Sequence, residues 1–301
     1  MICAPVALFV YSRPWHTRQT VEALLTNAEA SETPLYIFSD APKDVATSSA
    51  VAEVRAYIGG IAGFKSVSII ERGHNFGLAE SIIEGVTRLC GEYGRVIVLE
   101  DDLVTSPYFL KYMNEGLEKY RDEQRVISIH GYVYPVEQAL PETFFLKGAD
   151  CWGWATWRRG WELFEPDGQR LLDELKRRKL THQLDFDGSY PYTKMLINQI
   201  KGKNNSWAIR WYASAFLKNK LTLYPGRSLI LNIGNDSSGE HCATTNEFAG
   251  AIADSPISVD FIGIEENAIA RRAFAEFHKA VRPAVSSRVL RKLTDMVQRA
   301  R

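Results

Sequence analysis

At 301 residues the chain is long enough for one large α/β domain or two small ones with a proper core. Its 36 basic and 36 acidic side chains balance, so nothing points to nucleic acid, which calls for a basic excess. Cys3, Cys90, Cys151 and Cys242 show neither zinc-site spacing nor the density of a disulfide scaffold, and read as free thiols in a reducing compartment. The apolar run Val6 to Tyr11 follows no basic segment and is far too short for a signal or a span, which predicts a cytoplasmic protein.

Strands and helices alternate from the start. Pro5 to Tyr11 reads as a strand, Ser12-Arg13-Pro14 as a loop, and a helix opens near Thr17. Leu35 to Phe38 is a strand ending at Ser39-Asp40, followed by a helix from about Asp44 to Tyr57. Ser66 to Ile70 is a third strand, Arg72 to Gly77 a loop, and Leu78 to Cys90 a helix. Val96 to Leu99 is a short β-branched run buried on both faces, and Pro107 to Tyr120 a long helix. This alternation predicts a doubly wound, mostly parallel sheet.

Beyond residue 125 the texture changes. Val126 to His130 and Phe144 to Leu146 read as strands, and then an aromatic cluster runs from Cys151 through Trp152, Trp154 and Trp157 to Trp161. Helical patterns cover residues 168 to 182, Tyr190 to Gln199 and Ser206 to Asn219, before strands at Leu221 to Tyr224 and Leu229 to Ile233. No internal repeat or low-complexity linker separates the two halves. From Ala270 to Arg301 basic residues outnumber Glu276 and Asp295, and apolar residues recur at helical spacing on either side of Pro283. Such a tail suits contact with an anionic membrane surface, or a docked terminal helix with a solvated charged face.

The feature that carries chemistry is the end of the fourth strand, where Leu99 runs into Glu100-Asp101-Asp102. Three carboxylates on one strand end repel one another and resist desolvation unless a cation neutralises them. Open α/β sheets place ligands at the carboxyl ends of their strands, where Ser12-Arg13 and Ser39-Asp40 also fall. A cation there can bridge two phosphates, Arg13 can pair with them, and Asp40 can accept from a nucleobase. Glu100 and its neighbours capping the next helix, and Asp40 closing a turn, are the structural alternatives. Asn75 and Gly77 precede a helix, where Gly77 allows close backbone approach and Asn75 either caps or meets sugar hydroxyls. Neither a GxGxxG nor a GxxxxGK[ST] motif is present, which counts against dinucleotide and P-loop readings.

Glu100-Asp101-Asp102 followed by Leu103 and Ser106-Pro107-Tyr108-Phe109-Leu110 resembles the metal motif of GT-A-fold glycosyltransferases, notably N-acetylglucosaminyltransferase I and bacterial family 2-type enzymes. The resemblance extends over about residues 5 to 245. It implies Asp102 as a ligand of Mn²⁺ or Mg²⁺, Asp101 at the donor ribose or sugar, and Ser12, Arg13, Asp40, Asn75, Gly77 and Glu100 around the nucleotide sugar. Tyr224-Pro225 through Gly234, Ser238 and His241 resembles the approach to a phosphate-covering loop, which implies His241 at the metal or diphosphate. Trp152-Gly153-Trp154 resembles the segment shaping the donor-sugar and acceptor pocket, which implies Trp154 as a lining residue. The family's general base falls near Asn204-Asn205-Ser206-Trp207, where this chain has no acid, so Asp150, Asp185 and Asp187 become the substitutes.

The expectation is a GT-A fold with a nucleotide-sugar-binding half at 1–125, an acceptor-binding and catalytic half at 126–260 and a basic helical tail at 261–301. The implied activity is metal-dependent, base-assisted transfer of a sugar, UDP-linked by preference and with inversion, to a hydroxyl of a glycan or lipid-linked acceptor in bacterial surface polysaccharide or glycan assembly. A sugar-phosphate nucleotidyltransferase and a non-catalytic nucleotide-sugar binder are the alternatives.

Overall fold

The computed structural model describes residues 2–236 and 247–281. In chain order the elements are β1 (Val6–Val10), α1 (Pro14–Leu25), β2 (Pro34–Ser39), α2 (Val45–Ile58), β3 (Ser66–Glu71), α3 (Gly77–Tyr93), β4 (Arg95–Glu100), β5 (Leu103–Thr105) and α4 (Phe109–Lys119). There follow β6 (Val126–His130), β7 (Thr143–Lys147), β8 (Trp154–Trp157), α5 (Arg158–Trp161), α6 (Gly168–Arg177), α7 (Thr181–Leu184), α8 (Tyr192–Ile200), α9 (Trp207–Leu217), β9 (Leu221–Pro225), β10 (Ile230–Asn232) and α10 (Ala268–Ala280).

The doubly wound sheet forms as expected. Eight strands run in the order β3-β2-β1-β4-β8-β6-β9-β7, while β5 and β10 pair as a separate antiparallel ribbon. β3, β2, β1 and β4 are parallel neighbours. β8 then runs antiparallel to both β4 and β6, β9 is parallel to β6, and β7 closes the far edge antiparallel to β9. β1 and the Val96 to Leu99 run of β4 are wholly buried, as strands covered by helices on both faces must be. Strands from either side of residue 125 therefore share one sheet.

Several boundaries differ from the sequence reading for local reasons. α1 opens at Pro14 rather than Thr17, because a proline in the first turn forfeits no helical hydrogen bond. α2 starts where expected, with Asp44 and Thr47 forming a reciprocal capping box. The pattern over 168 to 182 divides into α6 and α7 around Lys179, whose φ of 56° cannot continue a helix. α10 docks through Ala270, Ala273, Phe274 and His278. The rest of the basic tail, with Pro283, lies outside the described residues.

The larger correction concerns β8. The aromatic cluster hides an interior strand, and Trp154 is fully buried instead of lining a pocket. Its indole stacks on Trp207 at 5.4 Å between centroids and meets Trp161 and Trp211 at 5.8 Å each. Interior strands alternate their side chains between two covered faces, and Trp154 falls on the face beneath α9. Among the described residues, no helix is long and apolar enough to cross a membrane.

Removing so large a buried ring leaves a void that the surrounding helices cannot fill. Trp154→Ala is expected to cost about 3–5 kcal/mol in denaturant unfolding. A loss below about 1 kcal/mol would contradict the core placement.

Candidate active site

The registers bring the chemistry to one edge. Phe9 pairs with Glu100, Val10 with Ser39, and Ser39 with Glu71, so the carboxyl ends of β1 to β4 are level. The chain leaves β1 for β2 on one side and returns to β4 on the other. This makes the gap between β1 and β4 the topological switch point where α/β sheets bind ligands. Arg13 follows β1 there, and Asp101 and Asp102 follow β4.

These residues are brought together in the structure. Nη2 of Arg13 donates to Oδ1 of Asp101 and lies 3.0 Å from Oδ2 of Asp102. Both acids are buried, at 4% and 8% exposure, and burial alone would work against every charge in the cluster. Burial opposes the Arg13 charge, but Asp101 and Asp102 outweigh it and raise its pKa. Burial pushes Asp101 up to about 6 against the pull of Arg13. It also pushes Glu100 up to about 8, with Asp102 and Asp101 adding to it. One guanidinium is thus shared between two carboxyl groups, with a third beside them. Thr20 Oγ1 steadies the strand end by donating to the Asp101 carbonyl at 2.9 Å.

A second segment closes over the acids. Beyond β10, Ile233 N donates to the Asp102 carbonyl at 2.9 Å, and Asp236 reaches Nε2 of His16 at 3.0 Å. Between them, a Cβ on Gly234 would lie 2.0 Å from Oδ2 of Asp102 and 3.0 Å from Nη1 of Arg13. Only a residue without a side chain lets the backbone pass this close. Gly234 and His16 are the site residues whose roles the sequence did not disclose; the contact of Gly234 joins positions more than a hundred residues apart. His241 lies outside the described residues.

Asp40 is tied to the neighbouring loop. Its Oδ1 accepts from the amides of Ala41 and Phe76 at 2.9 Å each, and its Oδ2 from Gly77 at 2.8 Å. Asn75 does not cap α3: its Nδ2 donates to the Ala41 carbonyl at 2.7 Å, and Phe76 holds the N-cap position. Gly77 adopts a φ of +72°, and a Cβ there would meet nothing within 4 Å, so this turn faces open space. Ser12 is half-buried at the end of β1. Asp40, Asn75 and Gly77 thus build the rim of the site.

The candidate bases separate clearly. β8 pairs antiparallel with β4, Val98 opposite Trp154, so the residues preceding β8 lie toward the acid end of β4. Asp150 is among them, and its Oδ2 stands 3.9 Å from Nε2 of His130. Burial raises the Cys151 thiol, and Asp150, Glu100 and Asp102 all add to it. Asp187 instead pairs with Arg271 at 3.0 Å and faces His182, and Asp185 accepts from Thr193 N at 2.6 Å. Both serve the corner between α7 and α8, and among the described residues neither touches the acid edge. Asp187 is paired with an arginine away from that edge, and Asp150 is the candidate that lies toward it. Ser206 is the N-cap of α9, accepting from Ile209 N at 3.3 Å, which accounts for a hydroxyl where the resemblance leads one to look for an acid.

No protein-family model matches the chain, and no curated protein matches it. Solved structures are similar to it over part of its length. The mannosyltransferase PcManGT from Pyrobaculum calidifontis, in complex with GDP-Man and Mn²⁺, is 11% identical with a TM-score of 0.34, over 44% of this chain and 35% of its own. The 1–349 portion of S. aureus TarS is 10% identical with a TM-score of 0.35, over 59% of this chain and 49% of its own. A putative glucose-1-phosphate thymidylyltransferase from Bacillus anthracis, in complex with a sucrose, is 10% identical with a TM-score of 0.34, over 54% of this chain and 74% of its own. The match thus spans less than half the length of the first two proteins.

Two substitutions test the site as built. Asp40→Ala frees the amides of Phe76 and Gly77 and is expected to cost about 1–3 kcal/mol in unfolding. Faster hydrogen exchange at these two amides should accompany it, and unchanged exchange would refute the anchoring role. Gly234→Ala drives a methyl into the Asp102 carboxylate and is expected to cost about 1–3 kcal/mol in unfolding. Denaturant titration reads that loss, and unchanged stability would show that the segment yields freely.

Proposed function

We propose that the protein is a nucleotide-sugar-dependent glycosyltransferase, with the donor diphosphate at the switch point and Asp150 as the base for the acceptor. The observation that carries this reading is the Arg13–Asp101–Asp102 cluster between β1 and β4, on the same sheet edge as Asp150. The cluster offers a cation and paired carboxylates for a diphosphate, and Asp150 offers a carboxylate beyond them. Transfer of a hexosyl or N-acetylhexosaminyl group with inversion, in surface polysaccharide or glycan assembly, belongs to the same proposal.

The residues fit a divalent cation. Arg13 takes one oxygen of each carboxylate, and among the described residues Oδ2 of Asp101 and Oδ1 of Asp102 accept no hydrogen bond from the protein. Among the described residues no three His, Cys, Asp or Glu form a closed cage. An open pair suits Mg²⁺ or Mn²⁺, which is commonly held by one or two carboxylates together with substrate phosphates and water. Asp102, with Asp101 beside it, would hold the ion. Bound there, it would neutralise charge on the departing diphosphate.

The chain's own residues then divide the work. A diphosphate competes with Asp101 and Asp102 for Arg13, whose charge remains available at any physiological pH. Arg13 thereby stabilises negative charge as the bond from the anomeric carbon to the diphosphate oxygen breaks. Asp150 takes the proton of the acceptor hydroxyl as that oxygen bonds to the anomeric carbon. The sugar gains one C–O bond and loses one, and the nucleoside diphosphate leaves with the bonding electrons. The segment around Gly234 covers the acids and keeps water from them.

The direct test is nucleotide release from UDP-, GDP- and dTDP-sugars with Mn²⁺, Mg²⁺ or EDTA. Release from one donor should need metal and fall at least about 100-fold in Asp102→Ala. Asp150→Asn should lower turnover by about 100-fold or more while leaving donor binding intact. Pyrophosphate release from a nucleoside triphosphate would replace the transferase with a nucleotidyltransferase. Binding of no donor under any condition would end the proposal.

A further inference from the structure

His130 closes β6 with its whole side chain inside the protein, at 0% exposure. Neither ring nitrogen has a hydrogen-bond partner among the described residues. Buried polar groups are nearly always paired, and a phenylalanine would fill the same place with no nitrogens to desolvate. An imidazole kept there calls for a use of its polar atoms.

Asp150 is the charged group that acts on it, with Oδ2 standing 3.9 Å from Nε2. Both partners are held. His130 lies opposite Trp154 in the pairing of β6 with β8, beside the loop that leads into β8. Gly131 N donates to the Gly153 carbonyl at 2.7 Å and ties the end of β6 to that loop. The ring of Tyr224 packs 4.9 Å from the imidazole, and that of Tyr132 meets it edge-on at 6.4 Å. Oδ1 of Asp150 accepts from Cys151 N at 2.9 Å, so the backbone holds one oxygen while the other faces the ring. We infer that His130 is a positioning residue, whose Nε2–H donates to Oδ2 of Asp150 as the acceptor engages and stops the carboxylate from turning. This rests on the transferase reading with Asp150 as base, and adds the residue that aims the base.

The chemistry favours a donor. Burial holds the imidazole down to about 4, so the ring is neutral at physiological pH and one nitrogen carries the hydrogen. A lone pair on Nε2 would face a negative oxygen, whereas an N–H is drawn to it, which selects the Nε2–H tautomer. The 3.9 Å separation exceeds a hydrogen bond by about 1 Å, and catalytic hydrogen bonds commonly tighten only once substrate is bound. With Oδ1 held by Cys151 and Oδ2 by His130, the remaining lone pair of Oδ2 stays aimed at the acceptor hydroxyl. The acceptor's proton passes to Asp150, and His130 keeps its own.

The experiment uses the full chain and has two arms. Proton–nitrogen correlation spectra read the His130 ring, assigned by its loss in His130→Gln. The signal should be that of a neutral Nε2–H ring, and Asp150→Asn should shift it. The second arm reads nucleotide release from whichever UDP-, GDP- or dTDP-sugar the wild type cleaves with Mn²⁺, water serving as acceptor. Water then gives its proton to Asp150 and its oxygen to the anomeric carbon. His130→Phe should lower kcat at least about tenfold and leave the donor KM within about twofold, as for a misaimed base. His130→Gln, whose amide restores a donor, should recover kcat to within about threefold of wild type. An Nδ1–H ring, a signal unmoved by Asp150→Asn, full turnover in His130→Phe, or a His130→Gln as slow as His130→Phe would overturn the inference. Where His130→Phe fails to fold, the ring signal and His130→Gln still decide it. Full turnover in Asp150→Asn would instead end the assignment of the base, so the two failures are distinguishable.

Discussion

The arrangement depends on the antiparallel pairing of β8 with β4. Arg95 to Val98 sit opposite Trp157 to Trp154, and this register joins a parallel half to a mixed half in one sheet. Because β8 runs against β4, the residues entering β8 lie at the same edge as those leaving β4. That single reversal brings Asp150 toward Asp101 and Asp102. A parallel β8 would have carried the Asp150 side of the chain to the opposite edge. Burial of Trp154 among Trp161, Trp207 and Trp211 locks the strand in place, so stability and site geometry have a common origin.

Electrostatics at the switch point follow from that edge. Three carboxyl groups crowd the end of a buried strand, and Arg13 pairs with two of them. Burial raises Glu100 and Asp101, which eases the repulsion by favouring protonation, while Arg13 holds the remaining charge. On the proposed reading, a diphosphate would attract Arg13 and a divalent ion would satisfy the acids it leaves. The beyond-β10 segment makes the exchange local, since Gly234 leaves no room for any side chain above Asp102.

The second half of the sheet is built on a different principle. Its edge has few charges and many rings, with Asp150 as the acid beside two neutral histidines. The docking of α10 contributes His278 to that second region, so the first part of the basic tail is a structural element whose inner face shapes the edge.

The amino-acid sequence by itself determined the alternation of strands and helices, the buried β4 and the acids that follow it. These are written in local periodicity and in adjacent residues, and Arg13, Asp40 and the acid triplet could be assigned to one edge because parallel strands end together. The aromatic run around Trp154 was ambiguous: a pocket wall and an interior strand have the same composition, and only the pairing partners on either side distinguish them. Asp150 and Asp187 were equivalent as sequence positions, since both are acids in loops. The tertiary structure separated them by committing Asp187 to Arg271 and setting Asp150 beside His130. The close pass of Gly234 over Asp102 joins residues more than a hundred positions apart. Such contacts leave no periodic trace in the chain, because they exist only once the sheet register has been fixed.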